Sequence, residues 1–329
     1  MIRVSEQASS ALYPALLGEP EAGGRVRCRL CARLCSLPEG KVGYCGVRIN
    51  KGGRLYSLNY GRLIAMHADP IEKKPLNHFH PGSYVFSIAT VGCNFACQYC
   101  QNYDISHTSD GYVVSAVQLA DIMLELQRMG CHNINFVTPS HVIPQILESL
   151  PYAVEKGLNV PLVYNSSGYD RVSALKLLDG IVDIYMPDFK FWDSSLSKRW
   201  CDAEDYPDRA KAALKEMHRQ VGDLVIENGL AKRGLLVRHL VMPGCLDDTK
   251  EILRFVAQEI SPNTYINIMD QYRPMGEVLE KRERDEIDMR LLRMLKHEEY
   301  LKALQMAHEF GLSRIDDRRS FLRWLFRER

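Results

Sequence analysis

The chain contains 329 residues, of which 46% are hydrophobic and 25% are charged, and its formal net charge at pH 7 is +1. This composition is typical of a globular protein, and the near-zero net charge gives no general electrostatic reason to bind nucleic acid or a membrane surface. The sequence shows neither a signal-peptide pattern nor a run of 18 apolar residues, so we expect a cytoplasmic protein without a membrane span.

Ten cysteines are present, and seven of them fall in two clusters before residue 101. Disulfides are rare in a reducing cytoplasm, so the clusters favour metal ligation. The first cluster has the spacing C-x2-C-x3-C-x9-C and consists of Cys28, Cys31, Cys35 and Cys45. Four thiolates would saturate one centre, which could be a structural zinc or an auxiliary [4Fe–4S] cluster.

Short strands and loops are predicted for residues 46–83, and the stretch "GGRLYSLNYGRLIAM" (52–66) predicts a hairpin. A proline-containing loop follows, and its basic residues could meet an anionic substrate or could simply be solvated. These residues are Lys73, Lys74, His78 and His80. We therefore predict an N-terminal segment, residues 1–83, that contains the four-cysteine module and short strands.

A regular pattern begins at residue 84, where apolar strand candidates alternate with helical stretches. The strand candidates are 84–90, 132–138, 160–165, 181–187, 234–242 and 264–270, and the helical stretches are 115–129, 142–157, 170–179, 205–221 and 247–260. This alternation predicts an α/β fold with a parallel sheet and right-handed crossovers, closed or partly closed as a barrel over residues 84–277. Residues 278–329 are predicted as a helical C-terminal extension, and its basic, aromatic tail (318–329) favours an amphipathic helix.

The second cysteine cluster, Cys93, Cys97 and Cys100, follows the first barrel strand directly with the spacing C-x3-C-x2-C. The next cysteine is Cys131. Three thiolates can hold three irons of a cubane cluster, which leaves the fourth iron open to a ligand that is not protein. A zinc knuckle that borrows a ligand from elsewhere is the alternative.

This spacing, with Tyr99 before the last cysteine, resembles the radical S-adenosylmethionine (SAM) enzymes. The resemblance is closer to relatives of the pyruvate formate-lyase activating enzyme, and to the radical SAM enzyme group of the AmmeMemoRadiSam system. It covers residues 28–277 and is carried by "DPIEKKPLNHFHPGS", "GCNFACQYCQNYDIS", "VYNSSGYD" and "VDIYMPDFK". It implies a partial (β/α)6 TIM-like barrel of the radical SAM type, a [4Fe–4S] cluster held by the three cysteines, and bound SAM. It also implies reductive cleavage of SAM to a 5′-deoxyadenosyl radical that abstracts hydrogen from a substrate.

Candidate cofactor-binding residues lie at the ends of the predicted strands. The activating-enzyme family carries "GGE" at the end of its second strand, where this chain reads "NFVTPSH" and offers the hydroxyls of Thr138 and Ser140. Ser140 is equally compatible with a helix N-cap. At the end of the third strand, Asn165 and Ser166 match family positions near the cofactor. The resemblance also implies a cofactor contact for Tyr99.

The fourth and fifth strands supply candidates for the chemistry itself. Met186, Asp188 and Lys190 match a family M-x-D-x-K pattern, which implies a cofactor contact for Met186 and Asp188 and catalytic roles for Asp188 and Lys190. A structural Asp–Lys ion pair is the alternative. On the fifth strand, a buried arginine is costly unless it binds a carboxylate, so Arg238 is a candidate for the carboxylate of SAM.

We expect an activating-enzyme-like protein that installs a glycyl radical on a partner enzyme. Radical modification of a small molecule or of another protein side chain is the second possibility, and a non-catalytic iron–sulfur redox protein is the third. The first two imply a flavodoxin- or ferredoxin-type reductant. Neither a nucleic acid nor a membrane is expected as a partner.

Overall fold

The computed structural model describes residues 12–70, 84–103, 111–280 and 287–316. The predicted substrate-facing basic residues, Lys73, Lys74, His78 and His80, lie outside the described residues, as does the tail 318–329. The chain divides into two compact units. The first comprises Met1–Asp69, Tyr84–Phe95 and Asn102–Asp179, and the second comprises Pro70–Ser83, Ala96–Gln101 and Gly180–Arg329. The predicted domain boundaries, 1–83, 84–277 and 278–329, stay predictions.

The first unit begins with six short strands, β1 (Tyr13–Pro14), β2 (Gly18–Glu21), β3 (Arg25–Cys28), β4 (Ser36–Leu37), β5 (Arg48–Lys51) and β6 (Arg54–Ser57). They form two three-stranded antiparallel sheets, in the orders β2-β3-β4 and β1-β6-β5. The hairpin predicted over residues 52–66 is wrong. The hairpin joins β5 to β6, because Gly52 and Gly53 adopt φ values of 60° and 70° and make the tight turn there.

The larger sheet of the first unit contains β7 (Arg62–Pro70), β8 (Tyr84–Thr90), β9 (Tyr112–Val113), β10 (Ile134–Val137) and β11 (Leu162–Asn165). β10 pairs in parallel with both β8 and β11, and β7 pairs antiparallel with β9. Helices α1 (Ala116–Arg128), α2 (Ile143–Glu155) and the short α3 (Val172–Leu175) follow β9, β10 and β11. α1 begins at a capping box, in which the side chains of Ser115 and Gln118 each accept a bond from the other's backbone N–H.

The second unit contains β12 (Ile184–Tyr185), β13 (Val225–Glu227), β14 (Leu230–Leu240) and β15 (Tyr265–Met269). β14 pairs in parallel with both β12 and β15 and antiparallel with β13. The helices of this unit are α4 (Ser194–Cys201), α5 (Tyr206–Val221), α6 (Leu246–Phe255), α7 (Glu277–Glu280) and α8 (His297–Glu309). Its core is rich in fully buried aromatic side chains, among them Phe189, Phe191, Trp200, Tyr206 and Phe255.

The parallel pairings of β8, β10 and β11, and of β12, β14 and β15, confirm the predicted α/β fold. Consecutive parallel strands are separated by helices, as right-handed crossover connections require. Within the described part of the chain, every helix is too short or too polar to cross a bilayer.

Candidate active site

The three-cysteine loop follows β8 directly, and its middle is fixed by backbone hydrogen bonds within the second unit. The Gln98 N–H donates to the carbonyl of Trp200 (2.9 Å), and the Gln98 side chain donates to the carbonyl of Arg199 (3.1 Å). The Val278 N–H donates to the Gln98 carbonyl (3.2 Å), and the Cys100 N–H donates to the Cys97 carbonyl (3.1 Å). The end of α4 and the start of α7 therefore set the path of the loop between two of its cysteines.

Gly276 packs its backbone against this loop. Its φ is +59°, and a Cβ at this position would lie 3.1 Å from the carbonyl oxygen of Gln98 and 3.3 Å from that of Cys100. A left-handed φ and so close an approach both favour glycine. Glycine at position 276 therefore allows the three-cysteine loop to pack closely against the segment before α7.

Tyr99 is buried, and its ring meets Tyr272 and Phe191 edge-on, with centroids 5.7 and 6.4 Å away. Its hydroxyl oxygen lies 3.9 Å from Cys201 Sγ, and Cys201 Sγ lies 3.5 Å from Cys97 Sγ. The hydrogen bond with Cys201 and burial raise the pKa of the Cys97 thiol well above its ordinary value, while the charge of Lys190 acts in the opposite direction. Nothing in the sequence spacing of Cys201 relates it to the loop, so its place there was not predicted.

Asp188, Lys190 and Arg238 form one compact ion cluster, which we call the Asp188 cluster. Lys190 Nζ lies 2.6 Å from Asp188 Oδ2, and Arg238 Nε and Nη2 lie 2.8 and 2.7 Å from Asp188 Oδ1. A parallel β-bridge between Asp188 and Arg238 sets this register. The Tyr206 hydroxyl accepts from the Lys190 N–H (2.8 Å) and donates to the Asp188 carbonyl (3.0 Å), which fixes the backbone of the cluster.

The charges of the Asp188 cluster support one another. Burial acts to raise the pKa of Asp188, but the charges of Arg238 and then Lys190 outweigh it and hold this pKa below its ordinary value. Burial acts to lower the pKa of Lys190, but the Asp188 charge outweighs it, so this pKa is raised. With one carboxylate against two cations, the cluster carries one excess positive charge, which favours an anion nearby.

His239, next to Arg238 on β14, faces the other way and is packed into the core. One ring nitrogen is 2.7 Å from the Phe189 carbonyl and the other is 2.9 Å from Thr249 Oγ1. Burial lowers the pKa of His239 to about 4, so the ring is neutral near pH 7. These contacts give it a structural role.

In the first unit, the ends of β10 and β11 bring together several of the predicted polar residues. Thr138 adopts a left-handed conformation (φ +52°), and its N–H donates to the carbonyl of Asn165 (2.8 Å). Ser140 is buried inside the 3-10 turn Pro139–His141. The N-cap alternative for Ser140 is wrong, because α2 begins after Val142 and has no side-chain cap.

Asp170 is a buried carboxylate beside these residues that sequence reasoning missed. It accepts hydrogen bonds from Tyr164 (2.8 Å) and Ser166 (2.6 Å), and burial raises its pKa against the effect of these bonds. The Ser166 hydroxyl accepts in turn from the Gly168 N–H (3.1 Å). The aspartate therefore orients Ser166, a predicted cofactor contact, and the only signal for it was its place directly after "SSGY".

Met186 is buried at the end of β12.

In the first unit, Cys31 forms an isolated antiparallel bridge with Asp170, and the Cys28 N–H donates to the Cys35 carbonyl (2.8 Å). Burial raises the pKa of Cys45 to about 11 and that of Cys31 further, and the mutual repulsion of the thiolate charges adds to this effect. The four thiols of the module are thus electrostatic neighbours.

Among the described residues, no three His, Cys, Asp or Glu side chains are spaced as the ligands of a metal ion. Thiolates repel one another, and the charge of a metal is what draws them to bonding distance and removes their protons. In donor type and number, the four-cysteine module fits a thiolate-bound metal, and the loop of Cys93, Cys97 and Cys100 fits an iron–sulfur cluster.

The four-cysteine module also contacts the start of the three-cysteine loop within the first unit. Arg33 Nε donates to the carbonyl of Asn94 (2.9 Å), and its guanidinium stacks 3.6 Å above the ring of Tyr44. Gly92 has φ +94°, and a Cβ there would lie 2.7 Å from the carbonyl oxygen of Cys45. The residues on both sides of Cys93 therefore touch the module.

Comparison with known proteins identifies the family. The Radical SAM superfamily profile matches residues 87–256, just over half of the chain, so the chain belongs to this superfamily. Its members carry a [4Fe–4S] cluster and use SAM, and the fold is the partial radical SAM barrel predicted from the sequence. This match agrees with the position of the three-cysteine loop after β8.

Two uncharacterised proteins of Methanocaldococcus jannaschii are similar in sequence. MJ0674 is 34% identical over 236 residues, which is 69% of this chain and 62% of that protein. MJ0808 is 32% identical over 260 residues, which is 76% of this chain and 72% of that protein. A structure of native anSMEcpe with bound AdoMet is 12% identical with a TM-score of 0.46, and the match covers 67% of this chain and 57% of that one.

Proposed function

We propose that this protein reductively cleaves SAM, with Cys93, Cys97 and Cys100 as the three thiolate ligands of its [4Fe–4S] cluster. The observation that carries the proposal is the C-x3-C-x2-C loop directly after β8, inside the segment that matches the superfamily. When bound, the cluster and SAM supply a carbon-centred radical able to abstract a hydrogen atom from substrate. The contacts of Gln98 and Gly276 hold the loop in place for this purpose.

The Asp188 cluster is proposed to bind and orient an anionic group. Its excess positive charge lies within electrostatic reach of Cys97, because Lys190 and Asp188 both affect the pKa of that thiol. Arg238 and Lys190 would then bind the carboxylate of SAM or an acidic group of the substrate, while they remain paired with Asp188. Further cofactor contacts are proposed for the remaining predicted residues, namely Tyr99, Thr138, Ser140, Asn165, Ser166 and Met186.

For the substrate, we propose an activating-enzyme-like reaction that removes a hydrogen atom from a glycine of a partner protein. The M-x-D-x-K pattern at Met186, Asp188 and Lys190, which resembles that family, supports it. Modification of a small molecule or of another protein side chain is the second candidate. It is favoured by the end of β10, where Thr138 and a 3-10 turn stand in place of "GGE". A flavodoxin- or ferredoxin-type protein is proposed as the electron donor.

We also propose that Cys28, Cys31, Cys35 and Cys45 hold a second metal centre, either zinc or an auxiliary [4Fe–4S] cluster. The burial of Cys28 and Cys31, and the effect that the thiols of the module have on one another's pKa, support it. Metal and sulfide analysis of anaerobically purified protein separates the two forms. One cubane plus one zinc per chain indicates a structural zinc, and two cubanes indicate an auxiliary cluster.

The proposed function is tested by anaerobic reconstitution, reduction with dithionite, addition of SAM and chromatographic detection of 5′-deoxyadenosine. We expect product from the wild type and none from Cys97→Ala. Cys131→Ala is the control, because Cys131 is a buried cysteine that is not one of the proposed ligands. Product formation that is equal in all three proteins would contradict the assignment of the cluster.

A further inference from the structure

Arg48, on β5, is a buried cation whose pKa is affected by the thiols of the four-cysteine module. Its side chain is 2% exposed, and no carboxylate in the described part of the chain forms an ion pair with it. The groups whose charges raise its pKa against the effect of burial are Cys28, Cys45 and Cys31. Burial of an uncompensated guanidinium is costly, so Arg48 favours negative charge on the groups around it.

The metal-loaded module would supply that charge. Four thiolates on Zn²⁺, or on an oxidised [4Fe–4S] cluster, carry a net charge of about −2. Arg48 Nε is buried without a hydrogen-bond partner in the described residues, which leaves a donor for a thiolate sulfur. Arg48 is therefore placed as the counter-ion of the loaded module.

The same arginine also reaches toward the other cysteine cluster. Arg48 Nη2 donates to the carbonyl of His141 (2.7 Å). His141 is 1% exposed, and its Nε2 donates to the carbonyl of Val91 (2.9 Å) and lies 3.1 Å from Thr90 Oγ1. Because a carbonyl oxygen only accepts, Nε2 carries the proton. Val91 is two residues before Cys93, so the path runs from the module to the first proposed cluster ligand.

Two further contacts reach residues next to Cys93 by independent routes. Gly92 meets the carbonyl of Cys45, and Arg33 binds the carbonyl of Asn94. The backbone at positions 91, 92 and 94 is therefore in contact with the module or with the Arg48–His141 link. Loss of the metal from the module would therefore loosen the contacts of the backbone at positions 91, 92 and 94, on both sides of Cys93.

We propose that Arg48 and His141 are positioning residues through which the metal-loaded four-cysteine module fixes the Cys93 end of the cluster loop. This inference rests on the proposed function, because it takes the three-cysteine cluster as the centre that is positioned. It assigns the module a task beyond stabilising its own fold. The reactive cluster acquires its native environment only when the N-terminal centre is filled.

The test uses full-length protein purified and reconstituted without oxygen, with four variants. Arg48→Met removes the charge, Arg48→Lys keeps it, His141→Leu breaks the link to Val91, and His141→Gln restores a donor. Arg54→Met, at an exposed arginine on the neighbouring strand β6, is the control. For each protein we would measure metal content, the EPR spectrum and reduction potential of the cluster on Cys93, Cys97 and Cys100, and 5′-deoxyadenosine formation.

Loss of the counter-ion in Arg48→Met should weaken metal binding by the module about 10- to 100-fold, as for other residues that orient metal ligands, with partial recovery in Arg48→Lys. His141→Leu should keep the N-terminal metal but shift the EPR signal and reduction potential, and slow 5′-deoxyadenosine formation about tenfold or more. His141→Gln should move all three values back toward wild type. The Arg54→Met control should match wild type throughout.

The inference is overturned if His141→Leu has wild-type EPR spectrum and potential, or if Arg48→Met keeps its full N-terminal metal. Should His141→Leu fail to fold, the EPR spectrum and reduction potential of the cluster in Arg48→Met decide, since wild-type values overturn the inference and shifted values support it. Failure of the proposed function looks different, because the wild type itself would then form no 5′-deoxyadenosine.

Discussion

The Sγ atom of Cys201 lies 3.5 Å from the Sγ atom of Cys97, although the two cysteines are 104 positions apart in the sequence. Cys201 ends helix α4, and the neighbouring carbonyls of Trp200 and Arg199 bind Gln98 in the cluster loop. A fourth thiol beside the loop raises the question of whether it closes the cubane.

We predict that Cys201 is not a cluster ligand. In Cys201→Ala, iron content and 5′-deoxyadenosine formation should stay within about twofold of wild type, because three thiolates suffice for a site-differentiated cubane. Iron analysis and the product assay measure this, with Cys97→Ala as the variant that loses both. Loss of the cluster in Cys201→Ala would make Cys201 the fourth ligand and remove the open iron.

The Asp188 carboxylate should be important for stability as well as for binding. Asp188→Asn leaves Lys190 and Arg238 without their shared carboxylate, which should lower the free energy of unfolding by about 3 kcal/mol. Urea unfolding monitored by circular dichroism measures it. Asp208→Asn is the control, because Asp208 pairs with Lys211 on the surface and its loss should cost less than about 1 kcal/mol. An equal loss of unfolding free energy in the two variants would contradict the stabilising role assigned to the Asp188 cluster.

Gly276→Ala should disturb the cluster loop. The added Cβ meets the carbonyl oxygens of Gln98 and Cys100, and the left-handed φ costs about 1 kcal/mol in addition. We expect reduced iron content and slower SAM cleavage. Gly311→Ala has the same conformational cost (φ +87°) but no atom within 4 Å, so it should lose stability and keep the cluster. A fully loaded Gly276→Ala protein would show that the loop can move away.

The unfolding free energy should fall as the pH is lowered from about 6.5 to 4. Burial lowers the pKa of His239 to about 4, so the unfolded chain binds a proton in this range that the folded chain does not. The stability of the folded state is then complete above the ordinary pKa of 6.5 and is lost on the acid side, by up to about 1.4 kcal/mol per pH unit for this residue. Urea titrations at several pH values measure the slope.

His239→Gln should reduce that slope, because glutamine does not titrate, and His308→Gln should leave it unchanged, because His308 is exposed on α8. Comparison of variants at each pH cancels any effect of acid on the cluster itself. A His239→Gln protein with the full wild-type slope would show that this buried histidine does not contribute to the acid sensitivity.

Local patterns predicted the elements that burial and periodicity define strongly. The first barrel strand has its predicted bounds, Tyr84–Thr90, and α5 (Tyr206–Val221) differs from its prediction by one residue. The fourth strand is much shorter than predicted, with only Ile184–Tyr185 in the ladder. The last barrel helix ends at Phe255 and continues as one π turn, Val256–Ile260, a change in hydrogen bonding that an apolar pattern does not record.

The candidate site was predictable only where its residues are close in sequence. The spacing of Asp188 and Lys190 placed them on one face of a strand, and they form an ion pair. The pairing of Arg238 with Asp188 depends on the parallel register between distant segments, which the sequence does not specify. The roles of Arg48 and His141 were missed for the same reason, since each depends on a contact far along the chain. Asp170 was missed although Tyr164 and Ser166 are close to it in sequence, because no pattern in the sequence shows that these side chains meet.

The central claim is that the cluster on Cys93, Cys97 and Cys100 has one iron open to SAM. The most direct measurement is electron–nuclear double resonance on the reduced, anaerobically reconstituted protein with SAM labelled in its amino nitrogen and carboxylate oxygens. We expect magnetic coupling of both labels to the cluster, and none in Cys97→Ala. A fully loaded wild-type cluster that shows no coupling to either label would mean that all four irons are closed by protein, which would contradict the account.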